Sequence, residues 1–148
     1  MSNATINPIG TLPHYPVHQT VQTRWHDNDI YGHVNNVVYY SYFDSVVNRF
    51  LIEEGGLDIH KGDVVGFVVE SNCKYLKPLA YPEAVTAGLR VGKLGNSSVR
   101  YELGLFNAQG DLCAEGYFVH VFVNKASNSP TPIPESIRNK LQQLLPAQ

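Results

Sequence analysis

Apolar positions along this chain follow two periods, and the switch between them falls near residue 64. Tyr39, Tyr40, Phe43, Val46, Val47, Phe50 and Leu51 recur at helical spacing. Plotted at about 100° per residue, they cover nearly half of a helix's circumference. Ser41, Asp44, Ser45 and Asn48 fill a narrow arc opposite. A helix so broadly apolar must be wrapped by other structure. Asn35 or Asn36 is its natural N-cap, because an asparagine amide oxygen accepts from an orphan N–H one turn on. Gly55-Gly56 is its natural stop, since glycine tolerates the left-handed C-terminal position.

Val17, Val21 and Trp25 alternate with polar residues and predict a first strand ending near Trp25. Asp27 to His33 then reads as a loop, with Gly32 available for a tight turn. After residue 64 the period is two. Val69, Ser71, Cys73 and Tyr75 share one face of a strand that runs to Pro78. Val85, Ala87, Leu89 and Val91 alternate with Thr86, Gly88, Arg90 and Gly92. Val99, Tyr101, Leu103 and Leu105 alternate again, and Leu112 to Val123 forms a last strand. Gly95-Asn96 and Gln109-Gly110-Asp111 supply the turns, so these strands form an antiparallel meander. Lys125 to Pro134 holds three prolines, and Ile137, Leu141, Leu144 and Leu145 predict a short amphipathic helix.

The expected order is a strand, a long buried helix, about four antiparallel strands and a short C-terminal helix. This is an α+β arrangement in which a twisted, curved sheet wraps the helix. Residues 1–16 read as an N-terminal extension, 17–124 as the domain, and 125–148 as a proline-rich linker with a helix packing on it. Ser2-Asn3-Ala4 is compatible with an expression-vector remnant. Unpaired edge strands in such a sheet favour association with a second copy.

A chain of 148 residues is most simply one domain. Its net charge of −2 offers no electrostatic footprint for nucleic acid. Cys73 and Cys113 both fall inside strands, which favours free thiols in a reducing, cytoplasmic setting over a disulfide. Residues 1–13 lack the basic start and apolar core of a signal peptide, and no run approaches a membrane span.

Polar chemistry concentrates in Arg24-Trp25-His26-Asp27-Asn28-Asp29-Ile30-Tyr31-Gly32-His33-Val34-Asn35-Asn36, directly before the helix. Carboxylates thus stand beside a helix N-terminus, where backbone N–H groups hold an anion or polarise a carbonyl. Acyl transfer fits that pairing. Asp29 has plainer readings too, as a loop cap or an ion pair with Arg24. Asp27 reads as structural, holding the loop through backbone N–H groups. His33 is an orienting group for Asp29, a substrate contact or an interior histidine. Asn35 and Asn36 are caps, Tyr39 is pocket wall, and His120 is a packed sheet residue. His14 and His18 flank Pro16, cannot share a helical face, and give no metal site. A Gly-x-Ser-x-Gly elbow and a glycine-rich phosphate loop are both absent.

The run Asp27-x-Asp29-x-x-Gly32-His33-Val34-Asn35-Asn36-x-x-Tyr39, followed by Tyr42-Phe43-Asp44, resembles the hot-dog fold acyl-CoA thioesterases of the 4-hydroxybenzoyl-CoA thioesterase-like branch. Tyr75-Leu76-Lys77-Pro78 and Pro130-Thr131-Pro132-Ile133-Pro134 resemble that family more weakly. The resemblance implies a hot-dog domain, a dimer joined into one continuous sheet and often paired into a tetramer, an acyl-CoA substrate, and no metal or other cofactor. By position it makes Asp29 the catalytic base or nucleophile. The N–H at Asn36 becomes the group that polarises the thioester, with His33, Asn35 and Tyr39 around it. Asp44 is left unassigned. Lys74, Lys77 and Arg90 are the candidate contacts for coenzyme A phosphates. Two other readings stand beside this one: a hot-dog dehydratase or hydratase, and a non-catalytic acyl-CoA-binding domain.

Overall fold

A computed structural model describes residues 11–146. Strand β1 is Val17–Gln22, helix α1 Asn36–Glu53, and β2 Val64–Tyr75. Strands β3 (Ala84–Leu94), β4 (Ser98–Phe106) and β5 (Leu112–Asn124) follow, then helix α2, Glu135–Gln142. Strand order is β1-β3-β4-β5-β2, antiparallel throughout. The meander β3-β4-β5 is the middle of the sheet because its turns are short. β1 and β2, separated in sequence by α1, close the two edges.

The alternating residues Val85, Ala87, Leu89 and Val91 of β3, with Val99, Tyr101, Leu103 and Leu105 of β4, face the core. Against them lie Tyr39, Tyr42, Phe43, Val46, Val47, Phe50 and Leu51 of α1. This is the sheet-wrapped helix that the periodicity predicts and the hot-dog arrangement that the resemblance implies. Tyr42 takes the buried place expected of Tyr40, which is half-buried. α2 closes one end of the core through Ile137 and Leu141, with Leu144 just beyond it, and the Arg138 guanidinium donates to the Gly95 and Asn96 carbonyls. Among the described residues no helix is long and apolar enough to cross a membrane.

Two local expectations need correction. β1 stops at Gln22, and Trp25 begins a 3-10 turn, Trp25–Asp27, with 71% of its surface exposed. The buried Asp27 pulls the chain out of the strand by accepting from the Arg24 backbone N–H at 2.8 Å. In β2 the pairing with β5 shifts between Val68 and Glu70, so Val69 sits at a bulge and leaves the alternation.

The sheet's other face carries a separate cluster. The ring of Tyr15, buried, lies across the cross-strand pair Gly88 and Gly104 and meets Phe106 edge-on at 6.0 Å. Only glycine admits it there: a Cβ on Gly88 would lie 2.5 Å from the Tyr15 ring. Tyr15, in the N-terminal extension, thus covers part of the sheet. β2 is bonded on one side only, and Phe67, Val68 and Val69 along it are about half exposed.

Candidate active site

The turn before α1 is built from short-range bonds. Gly32 N–H donates to the Asp29 carbonyl at 3.0 Å, and Gly32 has φ +83°, a conformation L side chains rarely adopt. The Tyr31 N–H donates to Asp29 Oδ1 at 2.9 Å, an Asx turn. Asp29 N–H bonds the His33 carbonyl at 2.9 Å. The backbone and one carboxylate oxygen of Asp29 are thereby fixed. Its Oδ2 has no partner among the described residues, because Arg24 turns instead to Asp27 at 3.5 Å. Of the plain readings of Asp29, the turn cap is real and the ion pair is not formed.

Asp27 is the buried anchor of this segment. Its Oδ2 accepts from the Tyr42 hydroxyl at 2.7 Å as well as from Arg24 N–H, and its carbonyl accepts from Asn35 N–H at 2.8 Å. Burial, and then the bond to Asp27, hold the Tyr42 hydroxyl well above the ordinary phenol range. Asn35 is the N-cap: its Oδ1 accepts from Val37 N–H at 3.1 Å and its carbonyl from Val38 N–H at 2.9 Å. The Asn36 N–H has no partner among the described residues. It is an open donor at the positive end of an 18-residue helix.

Asp29, His33, Asn36, Tyr39 and Lys77 line one cavity of about 350 Å³, completed by Val34, Tyr75, Leu76 and Pro78. Asp29, with its unpartnered carboxylate oxygen, and Asn36, with its unpartnered amide, therefore border one opening. His33 is exposed on its rim, and no side-chain bond joins it to Asp29. Asn35 shapes the site as the cap rather than as lining. The Tyr39 hydroxyl accepts from Leu79 N–H at 3.3 Å, and burial raises its pKa. Lys77, on the rim, also pairs with Asp111 at 3.2 Å. Lys74 and Arg90 are not brought to this cavity. They border another, of about 320 Å³, on the opposite sheet face beside Tyr15 and Arg100, where Arg90 bonds Glu102 at 2.6 Å. Pleating explains the separation, since Arg90 alternates with the core-facing Leu89 and Val91.

Tyr75 escaped the sequence reading as a site residue, although it stands last before the Leu76-Lys77-Pro78 break. Tyr42, read with Tyr31, Tyr39 and Tyr40 as pocket wall, does not line the cavity and bonds Asp27 instead.

A long helix packed on a five-stranded antiparallel sheet is the hot-dog fold. The profile of the thioesterase-like superfamily matches residues 23–141, so the chain belongs to that superfamily and is a thioester hydrolase. The PA5185 protein of Pseudomonas aeruginosa strain PAO1, known from a crystal structure, is 52% identical with a TM-score of 0.91, over 95% of this chain and 99% of that one. A thioesterase from Thermus thermophilus, solved with coenzyme A and zinc, is 32% identical with a TM-score of 0.74, over 86% and 98% of the two chains. The YsmA protein of Bacillus subtilis strain 168 is 27% identical over 107 residues, 72% of each chain.

Proposed function

We propose that this enzyme hydrolyses an acyl-CoA thioester to the free acid and coenzyme A, with Asp29 as general base or nucleophile and the Asn36 N–H as oxyanion donor. The observation that carries this reading is the shared cavity of Asp29 and Asn36, one with an unpartnered carboxylate oxygen and the other with an unpartnered amide. As a base, Asp29 takes a proton from water while the water oxygen bonds to the acyl carbon. The C–S bond then breaks, and the thiolate leaves and is protonated. As a nucleophile, Asp29 forms a mixed anhydride as the thiolate departs, and water then cleaves the anhydride. In both routes charge collects on the former carbonyl oxygen. One preorganised donor at that oxygen is worth about 3–4 kcal/mol in the transition state.

His33 and Tyr39 shape the acyl opening, and Asn35 holds the amide in place as the cap. Lys77 is the cation at this opening and takes the coenzyme A contact; Lys74 and Arg90 face away. The coenzyme A bound in the Thermus thermophilus relative supports that choice of carrier. The unpaired edge of β2, with Phe67, Val68 and Val69, supports a homodimer through β2, itself able to pair into a tetramer.

Thiol release from a panel of short, long and aromatic acyl-CoAs tests the reading, with Asp29→Asn as the variant. Asparagine keeps the oxygen that accepts from Tyr31 N–H but removes the charge. A loss of about 10²–10⁴-fold is expected. Equal turnover by variant and wild type would remove Asp29 from the mechanism.

A further inference from the structure

The Asn36 amide is useful only if it is held still, and the first turn of a helix is where a helix frays most readily. Two tyrosines address this from opposite sides. Tyr75, the last residue of β2, donates its hydroxyl to the Asn36 carbonyl at 3.0 Å. Tyr39, one turn into α1, accepts the Leu79 N–H on its hydroxyl at 3.3 Å. The strand side chain thus bonds the helix backbone, while the helix side chain bonds the backbone that follows the strand. Their rings meet edge to face, with centroids 5.0 Å apart and planes at 82°. Leu79 is fully buried, and its carbonyl accepts from Val34 N–H at 2.7 Å, which carries the connection on to the loop of Asp29 and His33. Asn36, Tyr39 and Tyr75 all line the site cavity.

We propose that Tyr75 and Tyr39 form a reciprocal latch that fixes the open Asn36 amide against the 75–79 segment, so that Tyr75 is a positioning residue for thioester hydrolysis. This rests on the thioesterase reading above. Asn36 is gripped by its carbonyl and left free at its N–H, the arrangement an oxyanion donor requires: immobile, yet without a competing partner. Neither tyrosine need touch the acyl group to act this way. Removing the Tyr75 hydroxyl lets residue 36 shift, and small misplacements of a reacting group lower the chemical step.

The test uses the full chain and the variants Tyr75→Phe, Tyr39→Phe and their double, each keeping its ring. Steady-state thiol release from the best acyl-CoA of the panel is expected to show kcat about tenfold to a hundredfold lower in Tyr75→Phe. KM should stay within about twofold of wild type, since ground-state binding is untouched. The double variant should lose no more than the worse single one, because both act through one unit. Wild-type kcat in Tyr75→Phe, a change confined to KM, or losses that multiply in the double variant would each overturn the latch. Amide hydrogen exchange is read in parallel. Tyr75→Phe is expected to speed exchange in the first turn of α1 and at Leu79; unchanged exchange at both would overturn the latch even if wild type released no thiol. That last result, no thiol from any substrate, would count against the thioesterase reading alone.

Discussion

Tyr42 reaches from the second turn of α1 to the buried carboxylate of Asp27, at 2.7 Å, and so ties the helix to the turn that precedes the site. The same oxygen holds the Arg24 N–H, and the Asp27 carbonyl holds the N-cap residue Asn35. One buried acid therefore organises the strand exit, the site loop and the helix start. Tyr42→Phe is expected to lower unfolding stability by about 1.5–3 kcal/mol, the usual loss for a hydrogen bond to a charged group. Urea denaturation of the two proteins measures it; a loss under a few tenths would show that Arg24 alone suffices for Asp27.

Acid should weaken the fold through His120. It is 2% exposed, and burial lowers its pKa from the ordinary 6.5 to about 4. Between those values the unfolded chain carries a proton at this site that the native chain does not. Stability on this account is full above pH 6.5 and falls as pH drops towards 4, by on the order of 3 kcal/mol. His120→Leu should flatten that part of the profile relative to wild type. Denaturation midpoints for both proteins, measured from about pH 7.5 to about pH 4.5, decide it; parallel curves would assign the acid slope to carboxylates instead.

Gly88→Ala should dislodge the Tyr15 ring, because the new methyl would sit 2.5 Å from it. Overpacking of this kind costs about 1–3 kcal/mol. In a Tyr15→Ala background the same change should cost much less, since its clash partner is gone. Thermal unfolding of the four proteins measures the coupling, and additive effects would mean that the outer cluster is loose.

Val69→Lys places a charge on the exposed bulge of the β2 edge. Light scattering on a sizing column should show a dimer for wild type and a monomer for the variant. A wild-type monomer at micromolar concentration would remove the β2 pairing.

Much of the fold was legible because binary patterning depends on periodicity alone. Val85 to Val91 and Val99 to Leu105 alternate without interruption, and each of their apolar side chains is buried where alternation puts it. The intervening Gly88 and Gly104 are buried on the other face under Tyr15. Patterning fails where a polar residue redirects the backbone. Trp25 continues the alternation of β1, but the bond from Arg24 N–H to Asp27 turns the chain first. Tyr42, three residues from Tyr39 and four from Val46, lies on the buried stripe, and its hydroxyl there is met by Asp27.

Sequence by itself determined the elements, the apolar faces and the local turn at Asp29, for these depend on contacts within a few residues. Asp29, Gly32 and Asn35 announce the turn and the cap through their own chemistry. Tertiary structure alone decided which distant groups share the opening. Tyr75 lies 39 positions beyond Asn36, yet bonds its carbonyl. Arg90 and Lys74 carry the right charge but project from the far side of the sheet. Charge and residue type are properties of the chain, whereas adjacency across a sheet is set by register and pleat, which appear only once strands pair.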